Sequence, residues 1–401
     1  MKISQRVLNT QFSPIRKLVP YAERAKEEGK KVYLLNIGQP DIETPKAFFE
    51  GIKKYSSKVI YYSHSAGLLE LREAFSDYYK LWDIDFDPQE LLVTTGGSEA
   101  AIFALASVAD PGDEVMVIEP FYANYKGFAE MLNVKLCPVR ADPETGYAVP
   151  SIEEFEKAYN ESVKAIIFSN PSNPTGAVYS YDEVKRIVDF AKEKDIFVIS
   201  DEVYKEFTFD GTKHVSVMNF EDKDRFILID SVSKRYSACG ARIGVFATKN
   251  KKLLEQVMKF AQSRLSPPLL AQFGVLGLLR DLGKDYYQGV ALEYQKRRDA
   301  AYEEIRKIEG AVCKKPHGSF YLSVKLPIDD SEEFIKWMLT DFDVNGETVM
   351  VSPLSGFYAT PGAGKQEIRI AYVLNSEELR KASNILKEAV TVYNEKKIKV
   401  K

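Results

Sequence analysis

Between about residue 90 and residue 247 the chain repeats one pattern. A short apolar run stops at a turn of small or polar residues, and in most repeats a helical stretch then leads to the next run. The runs are Leu91 to Thr95, Glu114 to Glu119, Val134 to Val139, Ala165 to Phe168, Ile196 to Ile199, Phe226 to Ile229 and Ile243 to Ala247. Short strands separated by helical patterns require crossovers, so a mostly parallel sheet is predicted. In such sheets ligands sit outside the carboxyl ends of the strands. The chemistry-bearing clusters of this region fall there: Gly96-Gly97-Ser98, Pro120-Phe121-Tyr122, Asn173-Pro174-Thr175-Gly176, Asp201 to Tyr204, and Ser231 to Lys234.

The flanking segments read differently. Residues 14–30 are expected to be helical, with Ser13 as cap, Pro14 in the first turn and Gly29 at the close. A strand, Val32 to Asn36, leads to the turn Gly38-Gln39-Pro40-Asp41, and helices are expected at 45–57 and 68–82. A helix is expected at 180–194 within the alternating region, and beyond it helices at 251–262 and 269–308, with a break near Gly283. Strands at Ser319 to Lys325 and Glu367 to Val373 and helices at 331–341 and 376–395 give the last ninety or so residues an α+β texture. The expectation is a three-layer α/β/α large domain with a mostly parallel sheet over residues 46–285. A smaller α+β domain would combine residues 286–401 with an N-terminal arm, 1–45.

Composition excludes several classes. A net charge of −3 with interspersed signs argues against a nucleic-acid binder, which needs a basic surface. No run of about 18 apolar residues occurs, so no membrane span is expected. The N-terminus has no apolar stretch of a secretory signal, and Cys137, Cys239 and Cys313 are widely spaced. Both features predict a cytoplasmic protein without disulfides. His64, His214 and His317 make no metal-binding spacing, so no metal is expected.

Lys234 follows the run Phe226 to Ile229, and Arg242 stands in a Gly-flanked loop just beyond it. Lysine condenses with aldehydes to a Schiff base where its surroundings favour the neutral amine, and an arginine fork matches phosphate oxygens. The pair points to pyridoxal phosphate, although most lysines are solvated surface groups. The other clusters admit two readings each. Gly96-Gly97-Ser98 opens a helix whose free amides suit an anion, or Ser98 is a plain cap. Asp201 ends a buried strand and needs a cationic partner, such as a pyridinium nitrogen or an arginine. Asn173 belongs to a turn or contacts a ligand. Tyr122 offers a face for a planar ring or packs in the core. Arg369, in an apolar strand, binds a carboxylate ligand or an internal acid.

Taken in order, Gly38-x-Pro40-Asp41, Tyr62, Gly96-Gly97-Ser98, Tyr122, Asn173 to Gly176, Asp201 to Tyr204, Ser231-x-Ser233-Lys234, Arg242 and Arg369 resemble the class I/II aminotransferases, fold-type I pyridoxal-phosphate enzymes. The resemblance spans roughly residues 14 to 395 and is aspartate-aminotransferase-like. It implies that Lys234 is the Schiff-base lysine and general base. Asp201 would keep the pyridine nitrogen protonated, and Tyr204 and Asn173 would contact the cofactor's phenolic oxygen. Tyr122 would stack on the ring. Gly97, Ser98, Ser231, Ser233 and Arg242 would form the phosphate cup. Gly38, Asn173 and Arg369 would hold the substrate α-carboxylate. Tyr62 would reach the phosphate of a neighbouring subunit in a homodimer with shared sites. Cis prolines are implied at Pro120 and Pro174.

The activity so implied moves an amino group from an α-amino acid to a 2-oxo acid, with 2-oxoglutarate as the expected acceptor. The distal side chain is less specified. The family's second arginine falls nearest Gln262, with Arg264 out of step, and a lysine of other relatives is replaced by Ser98. Tyr33, Phe12 and Phe357 are candidates for an apolar pocket, and aspartate-like or broad specificity is the expectation. A β-eliminating carbon–sulfur lyase is the rival on the same scaffold. A DNA-binding regulator would need a further N-terminal domain of about 70 residues.

Overall fold

The computed structural model describes residues 1–400. Its centre is a seven-stranded sheet. Across the sheet the order is Leu91–Thr94, Gly244–Ala247, Phe226–Ser231, Phe197–Asp201, Val163–Ser169, Glu114–Glu119 and Lys135–Arg140. Gly244–Ala247 runs antiparallel to both of its neighbours, and the remaining adjacent pairs are parallel. Leu91–Thr94 therefore points the same way as the parallel strands, and its carboxyl end opens on the same edge.

Alternation along each strand divides the core into two layers. Met116, Ile118, Ile166, Phe168, Val198, Phe226 and Leu228 pack with helices Leu69–Lys80, Tyr181–Glu193 and Leu269–Asp281. Val115, Val117, Ala165, Ile167, Ile199, Ile227 and Ile229 face the other way, toward helices Gly96–Val108, Asn124–Leu132 and Lys251–Arg264. This is the expected three-layer α/β/α arrangement.

A separate core combines Leu18 to Leu35 with residues from Val290 to Val390. In it Lys31–Leu34 pairs in parallel with Glu347–Met350, and Glu367–Ala371 lies antiparallel between Ser352–Pro353 and Tyr321–Lys325. Helices Lys284–Ile305, Ser331–Asp341 and Ser376–Val400 accompany these strands. Val203, Tyr204, Phe207 and Phe209, just past strand Phe197–Asp201, also belong to this core. They tie the edge of the large sheet to the smaller body.

The expected elements recur with a few differences. The first long helix is Val19–Glu27, and residues 14–18 are turns. Pro20 explains the late start: proline lacks an N–H and is tolerated in a first turn, where that donor has no partner anyway. Helices Gln5–Asn9, Asn124–Leu132 and Ile152–Ala158 and strands Glu347–Met350 and Ser352–Pro353 had no expectation. The Pro120 and Pro174 peptide bonds are cis, and so is that of Pro171.

Candidate active site

Five segments that follow strands of the large sheet meet at its carboxyl edge and, with residues of the smaller body, close on a cavity of about 450 Å³. Its wall includes Gly38, Gly97, Ser98, Tyr122, Asn173, Asp201, Tyr204, Ser231, Ser233, Lys234, Arg242 and Arg369. Twelve of the thirteen expected site residues are thus brought together from seven stretches of chain. Tyr62 is the exception. It is 77% exposed and outside this wall, so within one chain it takes no part in the cavity.

Lys234 sits in the turn after Phe226–Ser231, half-buried, and its Nζ donates to the Gly38 carbonyl at 2.8 Å. Gly38 is needed there for a steric reason: a Cβ at this position would lie 1.8 Å from the Tyr321 hydroxyl. The neighbouring Arg235 points the other way, into a buried network. Its guanidinium bonds both Asp230 oxygens at 2.8 and 3.0 Å, and Lys205 Nζ reaches Asp230 at 2.6 Å. The backbone that presents Lys234 is therefore anchored from beneath.

At one end of the cavity the wall is built for an anion. Helix Gly96–Val108 starts with Thr95 at its cap position and no side-chain cap bond, so Ser98 is not the capping residue. The free amides of the first turn face an anion favourably. Ser231 Oγ donates to Ser233 Oγ at 2.8 Å beside them. Arg242, at φ 54° and fastened by Nη1 to the Cys239 carbonyl at 3.0 Å, crosses Gly96 so closely that a Cβ there would meet its Nη2 at 2.4 Å. Gly244 gives the helix start room in the same way, since a Cβ would lie 2.4 Å from the Gly96 carbonyl carbon.

Elsewhere in the wall stands Asp201. Burial pushes its carboxyl up to about 6, against hydrogen bonds from the Tyr125 hydroxyl and the Val203 N–H that draw it down. No cation pairs with it among the described residues, so a ligand cation beside it would be favoured. The Tyr204 hydroxyl lies 3.0 Å from that of Tyr321, and burial raises the Tyr204 phenol well above its ordinary range. Tyr122, also raised by burial, packs edge-on against Tyr125.

Arg369 is 1% exposed. Its Nη1 donates to Asn173 Oδ1 at 3.0 Å and its Nη2 to the Asn36 carbonyl at 2.6 Å, while Nε has no partner. No carboxylate pairs with this guanidinium among the described residues, so the internal-acid reading does not hold. Its plane lies over the rings of Tyr321 and Phe357, at 4.3 and 5.0 Å from their centres.

Several expectations about the distal pocket fail. Tyr33 is buried in the smaller core with its hydroxyl on Glu347, and Phe12 is 92% exposed. Phe357 lies behind Arg369, outside the wall. Gln262 is exposed, and Arg264 is spent on the Ser65 and Val93 carbonyls and on Glu99. The wall instead includes Ser13, Ile15 and Arg16, together with Tyr125 and Tyr321, none of which was expected. Tyr125 lies in the first turn of helix Asn124–Leu132, just after Tyr122, and its ring packs edge-on against that of Tyr122. Tyr321 and the 13–16 segment carried no local signal, for their place depends on contacts with remote chain.

A lysine, a buried carboxylate and an anion cradle at the carboxyl edge of a three-layer α/β/α sheet define a group-transfer enzyme of the α/β class. The model of the family described as "Aminotransferase class I and II" matches residues 30–386, and the chain belongs to that family. Its members are pyridoxal-phosphate enzymes. Among similar proteins, the (5-formylfuran-3-yl)methyl phosphate transaminase of Methanocaldococcus jannaschii is 32% identical, over 96% of this chain and 99% of that one. A probable aspartate/prephenate aminotransferase of Aquifex aeolicus is 30% identical, over 97% and 98%. Among solved structures, an alanine aminotransferase from Pyrococcus furiosus superposes with a TM-score of 0.88 at 30% identity, covering 97% of this chain and all of that one.

Proposed function

We propose that this aminotransferase holds pyridoxal 5'-phosphate in the cavity. With it the enzyme would transfer an amino group from an α-amino acid, of aspartate-like or broad specificity, to a 2-oxo acid, with 2-oxoglutarate as acceptor. The observation that carries the reading is Arg369, a buried guanidinium with no acid of its own, in the same wall as Lys234. Both partners in a transamination carry an α-carboxylate, and a planar fork in a buried strand suits that group.

The donor set fits the cofactor. Gly97, Ser98, Ser231, Ser233 and Arg242 supply amides, hydroxyls and a guanidinium for the phosphate. Asp201 is a buried carboxylate lacking the cation that a protonated ring nitrogen would bring. Tyr122 offers its ring face, and Tyr204 and Asn173 offer polar atoms to the phenolic oxygen. When bound, the cofactor supplies an aldehyde that captures amines and a ring that accepts electrons.

The chain's own groups do the rest. Lys234 Nζ would anchor the cofactor, be released when a substrate amine takes its place, and then move the proton from substrate Cα as general base. Asp201 would hold the ring-nitrogen proton in place. Arg369, with Gly38 and Asn173 beside it, would orient the α-carboxylate so that the Cα–H bond faces Lys234. Residues 46–285 would form the cofactor domain and residues 1–45 with 286–401 the smaller one.

The reading also includes a cytoplasmic homodimer with shared sites. Val59, Ile60, Tyr61 and Tyr62 are all more than half exposed, an apolar surface that suits a second copy of the chain. The test is spectroscopic. Amino acid added alone should convert the loaded enzyme's absorbance once and stop, and a 2-oxo acid should restore it. Continuous pyruvate and ammonia release would replace this reading with a lyase, and full transamination by Lys234→Ala would remove the mechanism.

A further inference from the structure

We propose that Tyr321 is a positioning residue that directs the Tyr204 hydroxyl proton into the cavity, toward the phenolic oxygen of the bound cofactor. The proposal rests on the cofactor reading above and adds to that site a residue outside the set the family resemblance names. Tyr321 comes from the smaller body. It is 2% exposed and opens strand Tyr321–Lys325, which runs antiparallel beside Glu367–Ala371. In that pair Tyr321 stands opposite Ala371 and Ser323 opposite Arg369, so the period of two puts Tyr321, Ser323 and Arg369 on one face. That face meets the large body. Ser323 Oγ donates to the Pro174 carbonyl at 2.9 Å, Arg369 reaches Asn173, and the Tyr321 hydroxyl lies 3.0 Å from that of Tyr204.

A phenol has one proton to give and two lone pairs with which to accept. One proton therefore lies between the two hydroxyls, and the other is left for a further partner. Tyr321 has no second acceptor. Its oxygen lies 1.8 Å from the place a Gly38 Cβ would take, so on that side it abuts a Cα–H, which accepts nothing. No other hydrogen bond of this hydroxyl occurs among the described residues. If Tyr204 gave its proton to Tyr321, the Tyr321 proton would be a buried donor without an acceptor, which costs more than the hydrogen bond stabilises. Arg369 favours the opposite order. Its cation lies 4.3 Å over the Tyr321 ring, and a positive charge there makes that phenol the better donor. Tyr321 thus donates, Tyr204 accepts, and the Tyr204 proton faces the cavity that both residues line.

Burial, with Tyr321 adding to it, keeps the Tyr204 phenol protonated and able to donate. The other groups acting on it are Tyr122 and Arg369, and the wall also holds Asp201, Lys234 and Arg242. A hydroxyl that already accepts one hydrogen bond donates the next more strongly. Donation to the phenolic oxygen offsets its negative charge, so that oxygen holds a neighbouring proton less firmly. The Lys234 nitrogen, once joined to the cofactor, is then neutral at lower pH.

The test follows the absorbance of the full-length, cofactor-loaded enzyme against pH. Tyr321→Phe keeps the ring under Arg369 and removes only the hydroxyl, and it should move the midpoint upward by about half a unit or more. Tyr204→Phe should move the midpoint further. In that background Tyr321→Phe should add almost nothing, since its effect passes through Tyr204. An unmoved or lowered midpoint would overturn the proposal. So would an equal shift with and without the Tyr204 hydroxyl, the result that a merely structural role gives. A wild-type spectrum constant between about pH 5 and about pH 10 would overturn it too, since the donation would then set no titration. If the wild-type protein takes up no pyridoxal phosphate, the cofactor reading itself fails. If it does and titrates, an unmoved midpoint is the failure of Tyr321 alone.

Discussion

Arg369 and Asn173, far apart in the chain, are joined by a hydrogen bond of 3.0 Å, and the same guanidinium holds the Asn36 carbonyl. The bonds orient a buried cation without neutralising it. Arg369→Gln should therefore keep the fold and the cofactor absorbance but lower kcat/KM for both amino and 2-oxo acid, by about a hundredfold, or about 3 kcal/mol. Steady-state kinetics with one donor and one acceptor check this, and a loss confined to either substrate would contradict a shared α-carboxylate site.

Asp201 predicts a pH effect with a definite sign. Its folded carboxyl titrates near 6 because of burial, above the ordinary 3.8. Between those values the native state retains a proton that the unfolded chain has lost. The cofactor-free protein should then lose stability as pH rises through that window, by up to about 3 kcal/mol, and level off above it. Asp201→Asn should lack that slope, although it should also lose activity. Denaturant midpoints of the two cofactor-free proteins across pH 4 to about 7 provide the comparison, and parallel curves would refute the assignment.

Asp230 is the keystone beneath Lys234. Burial pushes its carboxyl up, but Arg235 and Lys205 outweigh this and hold it down at about 2. Asp230→Ala would leave two buried cations, Arg235 and Lys205, to share the one remaining carboxylate of Glu206, and a loss of about 3 to 5 kcal/mol is expected. Equilibrium unfolding measures it; a loss below about 1 kcal/mol would mean the pair behaves like a surface one.

Gly96 combines a φ of 75° with the close approach of Arg242. Gly96→Ala should place a methyl group against the guanidinium and strain the backbone by about 1 to 2 kcal/mol. Cofactor affinity should fall by about tenfold or more, as the displaced Arg242 no longer faces the phosphate cup. Titration of the cofactor-free protein with pyridoxal phosphate, followed by absorbance, would reveal it.

Much of this molecule is legible from local patterns. Apolar runs broken by turn residues placed the strands of the large sheet, because strand and turn propensities act over a few residues. Since parallel strands all end on one edge, the clusters that follow them had to gather there, and Gly97, Tyr122, Asn173, Asp201 and Lys234 do. The first long helix starts at Val19 rather than near Pro14, because Pro20, not Pro14, occupies its first turn.

What the sequence by itself determined, then, is the layered sheet and the set of groups that follow its strands. Only the tertiary structure decided that Arg369 has no acid partner among the described residues, that Tyr321 closes over Gly38, that Tyr62 stands outside its own cavity and that the segment from Ser13 to Arg16 joins its wall. Each depends on contacts between segments remote in sequence. Such contacts leave no periodic trace in the chain, since they are set by how the two cores pack together rather than by the propensities of neighbouring residues.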